Sequence, residues 1–218
     1  MPPMFPPASR FFTWLLQKLF DLLYHQLAWS YDLVAWMVSA GRWKDWVFSV
    51  LPHLEGQDVL EIGHGPGHLL VAMRAKGFRG VGIDASRQMG IKAKKNVSKG
   101  GFGVGLVNGY AQYLPFKVAC FNTVVATFPS NYIVDPKTLL EIRRTLKPGG
   151  VLIIVLSAFI EGESSLDRLL VWLFHRAGLS PGWDDRFFIP ISQAGFDVTV
   201  QRERLSTSSV LMIHARRS

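Results

Sequence analysis

The sequence has a single cysteine, and this scarcity excludes several kinds of site. Among 218 residues only Cys120 carries a thiol, so the chain can form neither an internal disulfide nor a cysteine-based metal cluster. Cys120 comes just before a predicted strand, where a small packing residue is more typical than a nucleophile. No metal site is predicted.

Long apolar runs are also missing. The first predicted helix, residues 10–27, has apolar side chains at helical spacing, but Lys18, Asp21 and His25 interrupt them. No run of about 18 apolar residues remains, so we do not expect a membrane-spanning helix. Residues 1–7 are rich in proline and lack the charged start and apolar centre of a secretory signal, which favours a cytoplasmic location.

Acidic residues are outnumbered by basic ones. The chain has 24 Lys and Arg against 16 Asp and Glu, and its net charge is +8. Such a balance allows attraction to nucleic acid, anionic lipid or an acidic substrate. No aromatic residue lies within the densest basic cluster, as a stacking platform for single strands would need, so we interpret it as a solvated surface and expect no specific nucleic-acid partner. This cluster consists of Lys92, Lys94, Lys95 and Lys99.

A glycine-rich loop follows the apolar run Val59 to Ile62. Glycine occupies every second position, at Gly63, Gly65 and Gly67. Glycine lets the backbone approach a ligand where a Cβ would collide. The dinucleotide fingerprint would need a further glycine where this chain has His68, so a cradled pyrophosphate is not predicted.

Acidic side chains end two apolar runs in this part of the chain. Glu61 lies at the end of the first run, and Asp84 ends the second run, Gly80 to Ile83. A glycine loop followed about 20 residues later by an acid at a strand end is typical of nucleoside binding, with the acid on the ribose hydroxyls. The two segments together predict a nucleoside-containing ligand.

Strand and helix patterns alternate from residue 57 onward, which predicts right-handed crossovers and a mostly parallel sheet. Two β-rich stretches close the chain without a helix between them, and these predict an antiparallel hairpin at the sheet edge. The predicted strands are 57–62, 79–83, 102–108, 121–127, 149–157, 196–204 and 209–215. The predicted helices are 10–27, 31–40, 42–51, 66–76, 86–96, 136–146, 163–178 and 184–194. We therefore expect a helical cap over residues 1–54 and a sheet domain over 55–218.

Four segments carry a resemblance to a known family: residues 59–67, residues 82–86 with Met89, residues 109–116, and residues 146–150. In this order they resemble class I S-adenosylmethionine-dependent methyltransferases, most closely the small-molecule branch of ubiquinone and menaquinone biosynthesis. The resemblance runs from about residue 55 to the C-terminus. It implies a Rossmann-like α/β fold with a mostly parallel seven-stranded sheet, a C-terminal antiparallel hairpin and an N-terminal helical cap.

The resemblance also implies a cofactor site for S-adenosyl-L-methionine. Glu61 would lie at the methionine end, the three loop glycines would line the cofactor, and Asp84 would accept hydrogen bonds from both ribose hydroxyls. Thr127 and Phe128 would face the methionine portion and the methyl group. The full set implied by the resemblance is Tyr31, Glu61, Gly63, His64, Gly65, Gly67, Asp84, Ala85, Met89, Tyr110, Ala111, Gln112, Thr127 and Phe128.

The chain departs from the family pattern at Tyr110, where the family has an aspartate that accepts from the adenine amino group. That contact is lost or replaced, with Gln112 or the Tyr110 hydroxyl as candidates. After the fourth strand, the single Pro129 does not match the amide-Pro-Pro-aromatic signature of amino-directed DNA methyltransferases. This departure argues against methylation of DNA bases.

Methyl transfer from a sulfonium is a direct displacement, which depends mainly on alignment and desolvation of the nucleophile. No catalytic triad is evident. The candidate bases are His64, His68, Tyr132 and His175.

Three functions remain open at this point. The first is methylation of a small apolar or aromatic acceptor, such as a quinol or a lipid. The second is a non-catalytic protein that binds the cofactor, and the third is methylation of RNA or protein. Tryptophans crowd the N-terminal segment, which favours a lid on the sheet domain or on a second subunit of a homodimer. The alternatives are an apolar acceptor pocket and peripheral contact of the N-terminal helix with a membrane.

Overall fold

The computed structural model describes residues 35–36, 39–101, 103–162, 164, 167–168 and 185–218. The predicted helix 10–27 lies outside this part of the chain, as do most of the predicted helices 31–40 and 163–178. The cap expected over residues 1–54 therefore stays a prediction. Within the described ranges, no helix combines the length and hydropathy needed to cross a bilayer.

The described elements follow the predicted alternation of strand and helix. The strands are β1 (Asp58–Ile62), β2 (Arg79–Asp84), β3 (Gly105–Asn108), β4 (Phe121–Thr127), β5 (Leu146–Ile160), β6 (Phe196–Arg204) and β7 (Ser208–Arg217). The α-helices are α1 (Trp43–Phe48), α2 (His68–Ala75), α3 (Arg87–Lys99), α4 (Pro136–Thr145) and α5 (Asp185–Gln193). Short 3₁₀ turns lie at Leu51–His53 and Asn131–Val134.

Seven strands form one sheet in the order β3-β2-β1-β4-β5-β7-β6. The strands β1 to β5 pair in parallel, and β7 runs antiparallel to both β5 and β6. The mostly parallel sheet with a closing hairpin confirms the predicted fold class. The strand order reverses between β1 and β4, and in such sheets ligands bind beyond the carboxyl ends of the strands at this point.

Helices cover both faces of the sheet because the central strands are apolar on both sides. On one face, Val59 and Val125 pack against α1 and α2 through Trp46 and Leu69. On the other face, α4 and α5 contribute to a cluster that includes Leu60, Val124, Leu139, Ile142 and Ile191. The carboxyl edge of the sheet is left for the loops.

Capping residues start two of the helices where the sequence predicts them. The Ser86 hydroxyl accepts from the Met89 backbone N–H at 3.3 Å at the start of α3. The Asp135 carboxylate accepts from the Lys137 N–H at 2.8 Å, and Pro136 takes the first position of α4. Each cap satisfies a backbone donor that the first turn leaves without an intrahelical partner.

The proline-glycine segment before the fifth strand differs from its prediction. We expect a turn at residues 147–150 before a strand over 149–157, but β5 is continuous from Leu146 to Ile160. Phe121 pairs with Leu146 and Thr123 pairs with Val151. The partners are thus two residues apart in β4 but five residues apart in β5. The segment is therefore a bulge inside the strand, as glycine in a strand often marks.

Candidate functional site

The glycine loop joins β1 to α2 in a conformation that requires glycine. Gly63, Gly65 and Gly67 have φ angles of 74°, 49° and 77°, in the left-handed region that side chains disfavour. A Cβ on Gly63 would lie 2.7 Å from the Tyr132 hydroxyl, and one on Gly67 would lie 3.0 Å from the Ala93 Cβ. A Cβ on Gly65 would meet no heavy atom within 4 Å, so this backbone is open to a ligand.

Asp84 ties the end of β2 to the glycine loop. Its side chain is 3% exposed. One carboxylate oxygen accepts from the Gly65 N–H at 2.8 Å, and the other accepts from the Ser86 N–H at 2.8 Å. Because each carboxylate oxygen has a further lone pair, both can also accept from vicinal hydroxyls of a ribose.

Glu61 is a buried carboxyl group with an unused hydrogen-bonding atom. The residue is 2% exposed, and its Oε2 has no hydrogen-bond partner. Burial and then the nearby Asp84 raise the pKa of this carboxyl well above its ordinary value, while the Leu70 backbone N–H lowers it. No cationic side chain pairs with Glu61 among the described residues. Such a group suits a ligand that brings its own positive charge.

Tyr132, a candidate base, supports the loop from the turn after β4. Its hydroxyl donates to the Ile62 carbonyl across a long 3.5 Å contact. Burial, followed by the charges of Asp84 and Glu61, raises the pKa of Tyr132. The phenol therefore keeps its proton at neutral pH and is a hydrogen-bond donor in this site.

His64, a second candidate base, lies beneath the glycine loop. It is 3% exposed, its Nδ1 is 2.8 Å from the Gly65 carbonyl oxygen, and its ring packs against Gly82. The carbonyl can only accept, so Nδ1 carries the proton. Burial lowers the pKa of His64 although Asp84 opposes this, and the neutral ring serves as packing under the loop.

The residues implied for adenine are spread over two elements. Met89 lies on the buried side of α3. Ala111 is also buried, whereas Ala85 is exposed. Tyr110 is 65% exposed, whereas the Gln112 amide donates to the Asp135 carboxylate at 3.2 Å. Gln112 is thus held at the start of α4, and the replacement of the missing aspartate by Gln112 or by the Tyr110 hydroxyl stays a prediction. Gln112 also lines a shallow depression of about 480 Å³ together with Tyr113, Leu114, Lys137, Leu140 and Glu141.

An aromatic wall stands at the carboxyl end of β4. Phe128 directly follows Thr127 and has a φ of 50°, a left-handed conformation that costs a non-glycine residue on the order of 1–3 kcal/mol. Its N–H donates to the Val155 carbonyl at 2.7 Å, which holds the strained residue in place. The Phe128 ring lies 4.9 Å from Trp43 and 6.3 Å from Trp46, between ring centroids. The three rings, the aromatic wall from here on, make one edge of the site apolar.

Two asparagines support the site without having been predicted. The Asn108 amide, at the end of β3, donates to the carbonyls of Asp84 at 2.9 Å and Ala85 at 3.1 Å. The Asn96 amide, on α3, donates to the Pro66 carbonyl at 2.9 Å. A polar residue directly after the apolar run Leu106-Val107 was a usable signal for Asn108. Nothing in the sequence around Asn96 pointed to the loop.

Some predicted residues cannot be placed. Tyr31 and His175 lie outside the described residues, so their roles stay predictions. His68 is the first residue of α2 and is half-buried. Within the described ranges, no three His, Cys, Asp or Glu side chains are grouped to hold a metal ion.

Comparison with known proteins finds methyltransferases. Residues 59–150 match the family described as Methyltransferase domain. The ubiquinone/menaquinone biosynthesis C-methyltransferase of Blochmanniella floridana is 29% identical over 66% of this chain and 60% of its own length. The uncharacterized methyltransferase YdaC of Bacillus subtilis is 30% identical over 62% of this chain and 78% of its own length. The chain thus spans about 60% of the length of the first curated relatives it matches.

A solved structure shares the fold at low sequence identity. The geranyl diphosphate C-methyltransferase of Streptomyces coelicolor, solved with Mg²⁺, geranyl diphosphate and S-adenosyl-L-homocysteine, has a TM-score of 0.60 and 14% identity. The match covers 80% of this chain and 79% of that one.

The fold and the glycine loop define a class of nucleoside-binding α/β proteins, and the matches define the family within it. The chain belongs to the class I S-adenosylmethionine-dependent methyltransferases. The site fits the cofactor of this family: Gly65 leaves the loop backbone open, Asp84 can accept from a ribose, and the free Oε2 of Glu61 suits a cationic ligand.

Proposed function

We propose that this chain is an active methyltransferase that transfers the methyl group of S-adenosyl-L-methionine to a small apolar or aromatic acceptor, quinol-like or lipid-like. The observation that carries the proposal is the pair of buried carboxyl groups, Glu61 and Asp84, under an open glycine loop. A protein that had lost the cofactor would gain stability by replacing them, because a buried carboxylate without a cation is costly.

Each part of the site has a distinct task in this proposal. The bound cofactor supplies a methyl group on a sulfonium, which is already a good leaving group. Asp84 would hold the ribose, and Glu61 would balance the positive charge of the methionine end. His64 and Tyr132 hold the loop and its glycines in position. Alignment and exclusion of water then supply much of the catalysis, as expected for a direct displacement.

The aromatic wall supports an apolar or aromatic acceptor. Trp43 and Phe128 are only partly buried, so their rings can contact a ligand at the carboxyl end of β4. Aromatic rings favour offset or edge contact with another ring, and they offer a large apolar surface to an isoprenoid chain. Some relatives are named for ubiquinone and menaquinone biosynthesis, and one fold neighbour is named for geranyl diphosphate, which contains an isoprenoid chain; these names support the proposal.

The second candidate is a non-catalytic protein that binds the cofactor. The exposed Tyr110 favours it, because the usual acidic contact with adenine is missing and Gln112 is engaged with Asp135. Methylation of RNA or protein is a third and weaker candidate. A cytoplasmic location, a homodimer and membrane contact through residues 10–27 are further parts of the proposal that await their own tests.

Titration calorimetry with S-adenosyl-L-methionine tests the proposal at the cofactor site. We expect saturable binding by the wild type and loss of at least tenfold in affinity for Asp84→Ala, because the ribose then has no paired acceptor. Asp58→Asn is the matched control. It removes a carboxylate at the opposite edge of the same sheet, where Arg79 and Lys147 bind it at 2.7 and 2.9 Å.

Absence of binding by the folded wild type would overturn the proposal. If the cofactor binds, a screen of quinols and isoprenoid lipids for methylated product by mass spectrometry separates the enzyme from the non-catalytic candidate. Binding with no product from any quinol, phenol or lipid would favour the second candidate.

A further inference from the structure

Helix α3 presents a cationic face to solvent. Its buried side, formed by Met89, Ala93 and Val97, packs on the sheet. The opposite side carries four exposed cations in little more than three turns, and we call it the cationic face: Arg87, Lys94, Lys95 and Lys99. No acidic residue occurs between positions 85 and 103. The sequence pattern favoured a solvated surface here, but the structure adds two observations that point to a partner.

The first observation is that these charges have no counter-charge among the residues that the structure describes. None of the four forms a salt bridge with any residue in the described part of the chain. Cations of the C-terminal hairpin differ, because Arg202 binds Glu161 at 2.6 Å and Arg216 binds Glu55 at 2.6 Å. These ion pairs neutralise two cations of the hairpin. No described residue neutralises the cationic face in this way, so its positive charge can attract an external anion.

The second observation is an exposed isoleucine in the middle of the charges. Ile91 is 65% exposed, and it is the one large apolar side chain that α3 presents to solvent. At 100° per residue its side chain lies between those of Arg87 and Lys95. Long basic side chains around an apolar one suit an interface where charges meet headgroups and the apolar group enters the hydrocarbon boundary.

We propose that the cationic face of α3, with Ile91 at its centre, docks on the surface of a bilayer that contains anionic lipids. A single-stranded nucleic acid is the weaker match, because the face has no aromatic side chain on which bases could stack. The docking inference does not need methyl transfer. Docking extends the proposed function, because it would bring the site to the bilayer in which a lipid-like acceptor is found. Only this purpose of docking rests on the proposed function.

The cationic face is mechanically connected to the cofactor loop. Asn96, on the half-buried flank of α3, donates to the Pro66 carbonyl at 2.9 Å. Ala93 packs closely on Gly67, since a Cβ added to Gly67 would lie 3.0 Å from the Ala93 Cβ. A helix held by a bilayer would therefore hold the glycine loop beside it.

Vesicle co-sedimentation of the full chain tests the inference. We expect binding to vesicles of phosphatidylcholine with a minority of phosphatidylglycerol, and little binding to phosphatidylcholine alone. Each basic residue near an anionic surface contributes about fivefold, so Lys94→Gln, Lys95→Gln and Lys99→Gln together should weaken partitioning roughly a hundredfold at low salt. Ile91→Asn should weaken it about fivefold without any change of charge.

The matched control removes three exposed cations from other surfaces: Lys117→Gln, Lys137→Gln and Arg204→Gln. We expect only a small loss, although the net charge falls equally. Equal loss for both triple variants would overturn the inference, as would failure of the wild type to bind anionic vesicles or stronger binding to single-stranded RNA than to vesicles at the same salt. Calorimetry with S-adenosyl-L-methionine on the same variants keeps the two proposals separate, because the cofactor site is unchanged in them.

Discussion

At the scale of single residues, Glu61 and Asp84 place two carboxyl groups in the protein interior on neighbouring strands. Glu61 pairs with Gly82 in the parallel register, two residues before Asp84. Asp84 is stabilised by two backbone N–H donors, whereas Glu61 has a free oxygen and a raised pKa. The unfavourable energy is therefore concentrated on Glu61, where a cationic ligand can relieve it.

Glu61→Gln is expected to stabilise the protein without ligand and to weaken its binding of the cofactor. The raised pKa of Glu61 means that the folded state holds the proton more tightly than the unfolded state. The contribution of Glu61 to stability is therefore full below pH 4.5, the unfolded value, and declines as pH rises. Glutamine avoids this decline, so its advantage in urea unfolding should grow from about pH 5 to about pH 8, to on the order of 1–3 kcal/mol.

Asp58→Asn is the control, because the contribution of Asp58 to stability depends on pH in the opposite direction. Arg79 and then Lys147 lower the pKa of Asp58 to about 2, so its contribution is present above 3.8 and is lost as pH falls toward 2. Asparagine at this half-exposed site should cost about 1 kcal/mol at neutral pH. If Glu61→Gln destabilises the protein at about pH 8 by as much as Asp58→Asn, then Glu61 is not a strained ligand-binding group.

At the scale of elements, β2 and the glycine loop are fitted to each other through Gly82. The His64 ring occupies the space over this glycine, and a Cβ there would lie 2.9 Å from the His64 Cδ2 and 2.6 Å from the Leu70 Cδ1. Glycine in a strand weakens it, but here it admits a side chain that fills the volume beneath the loop. His64 and Gly82 thus form a coupled pair.

Gly82→Ala should destabilise the protein by about 1–3 kcal/mol, because the new methyl group displaces His64 and Leu70 in a closely packed interior. In a His64→Ala background the same change should cost clearly less. Chemical unfolding of the four variants of this double-mutant cycle measures the coupling. Gly105→Ala in β3 is the control, since its nearest contact would be an ordinary 3.4 Å to Val81. Additive effects at Gly82 and His64 would show that the pair is not coupled.

At the scale of the whole molecule, a partly buried ion pair joins segments distant in sequence. Arg42, before α1, binds Asp167 at 2.8 Å, and its Nε donates to the Thr207 hydroxyl at 2.7 Å in the turn between β6 and β7. Ser164 donates to the same carboxylate at 2.7 Å. The ion pair thus links the end of the predicted cap, the segment after β5 and the closing hairpin.

Asp167→Asn should lower the free energy of unfolding by more than the loss of an exposed ion pair does, because Arg42 then keeps its charge at a partly buried position without a carboxylate partner. Glu161→Gln breaks the exposed pair with Arg202 and should cost less than about 1 kcal/mol. Urea unfolding of both variants compares them directly. An equal and small effect would mean that the Arg42 link contributes no more than a surface pair.

The sheet, the glycine loop and the class of ligand can be predicted from the amino-acid sequence alone. These features depend on local signals: apolar runs of strand length, glycines that need a left-handed backbone, and acids at strand ends. The position of Asp84 beside the glycine loop could be predicted because it follows directly from a parallel crossover, and its role toward a ribose stays a prediction. The caps at Ser86 and Asp135 followed from the same local rules.

The surroundings of residues whose neighbours come from distant parts of the chain are visible only in the folded structure. His64 and Tyr132 can be named as candidate bases from their chemistry, whereas their contacts with Gly82 and Gly63 are visible only in the folded chain. The proline-glycine segment became a bulge because of its pairing with β4. Side-chain burial and charge pairing depend on packing across the sheet, and such non-local neighbours are not encoded in spacing along the sequence.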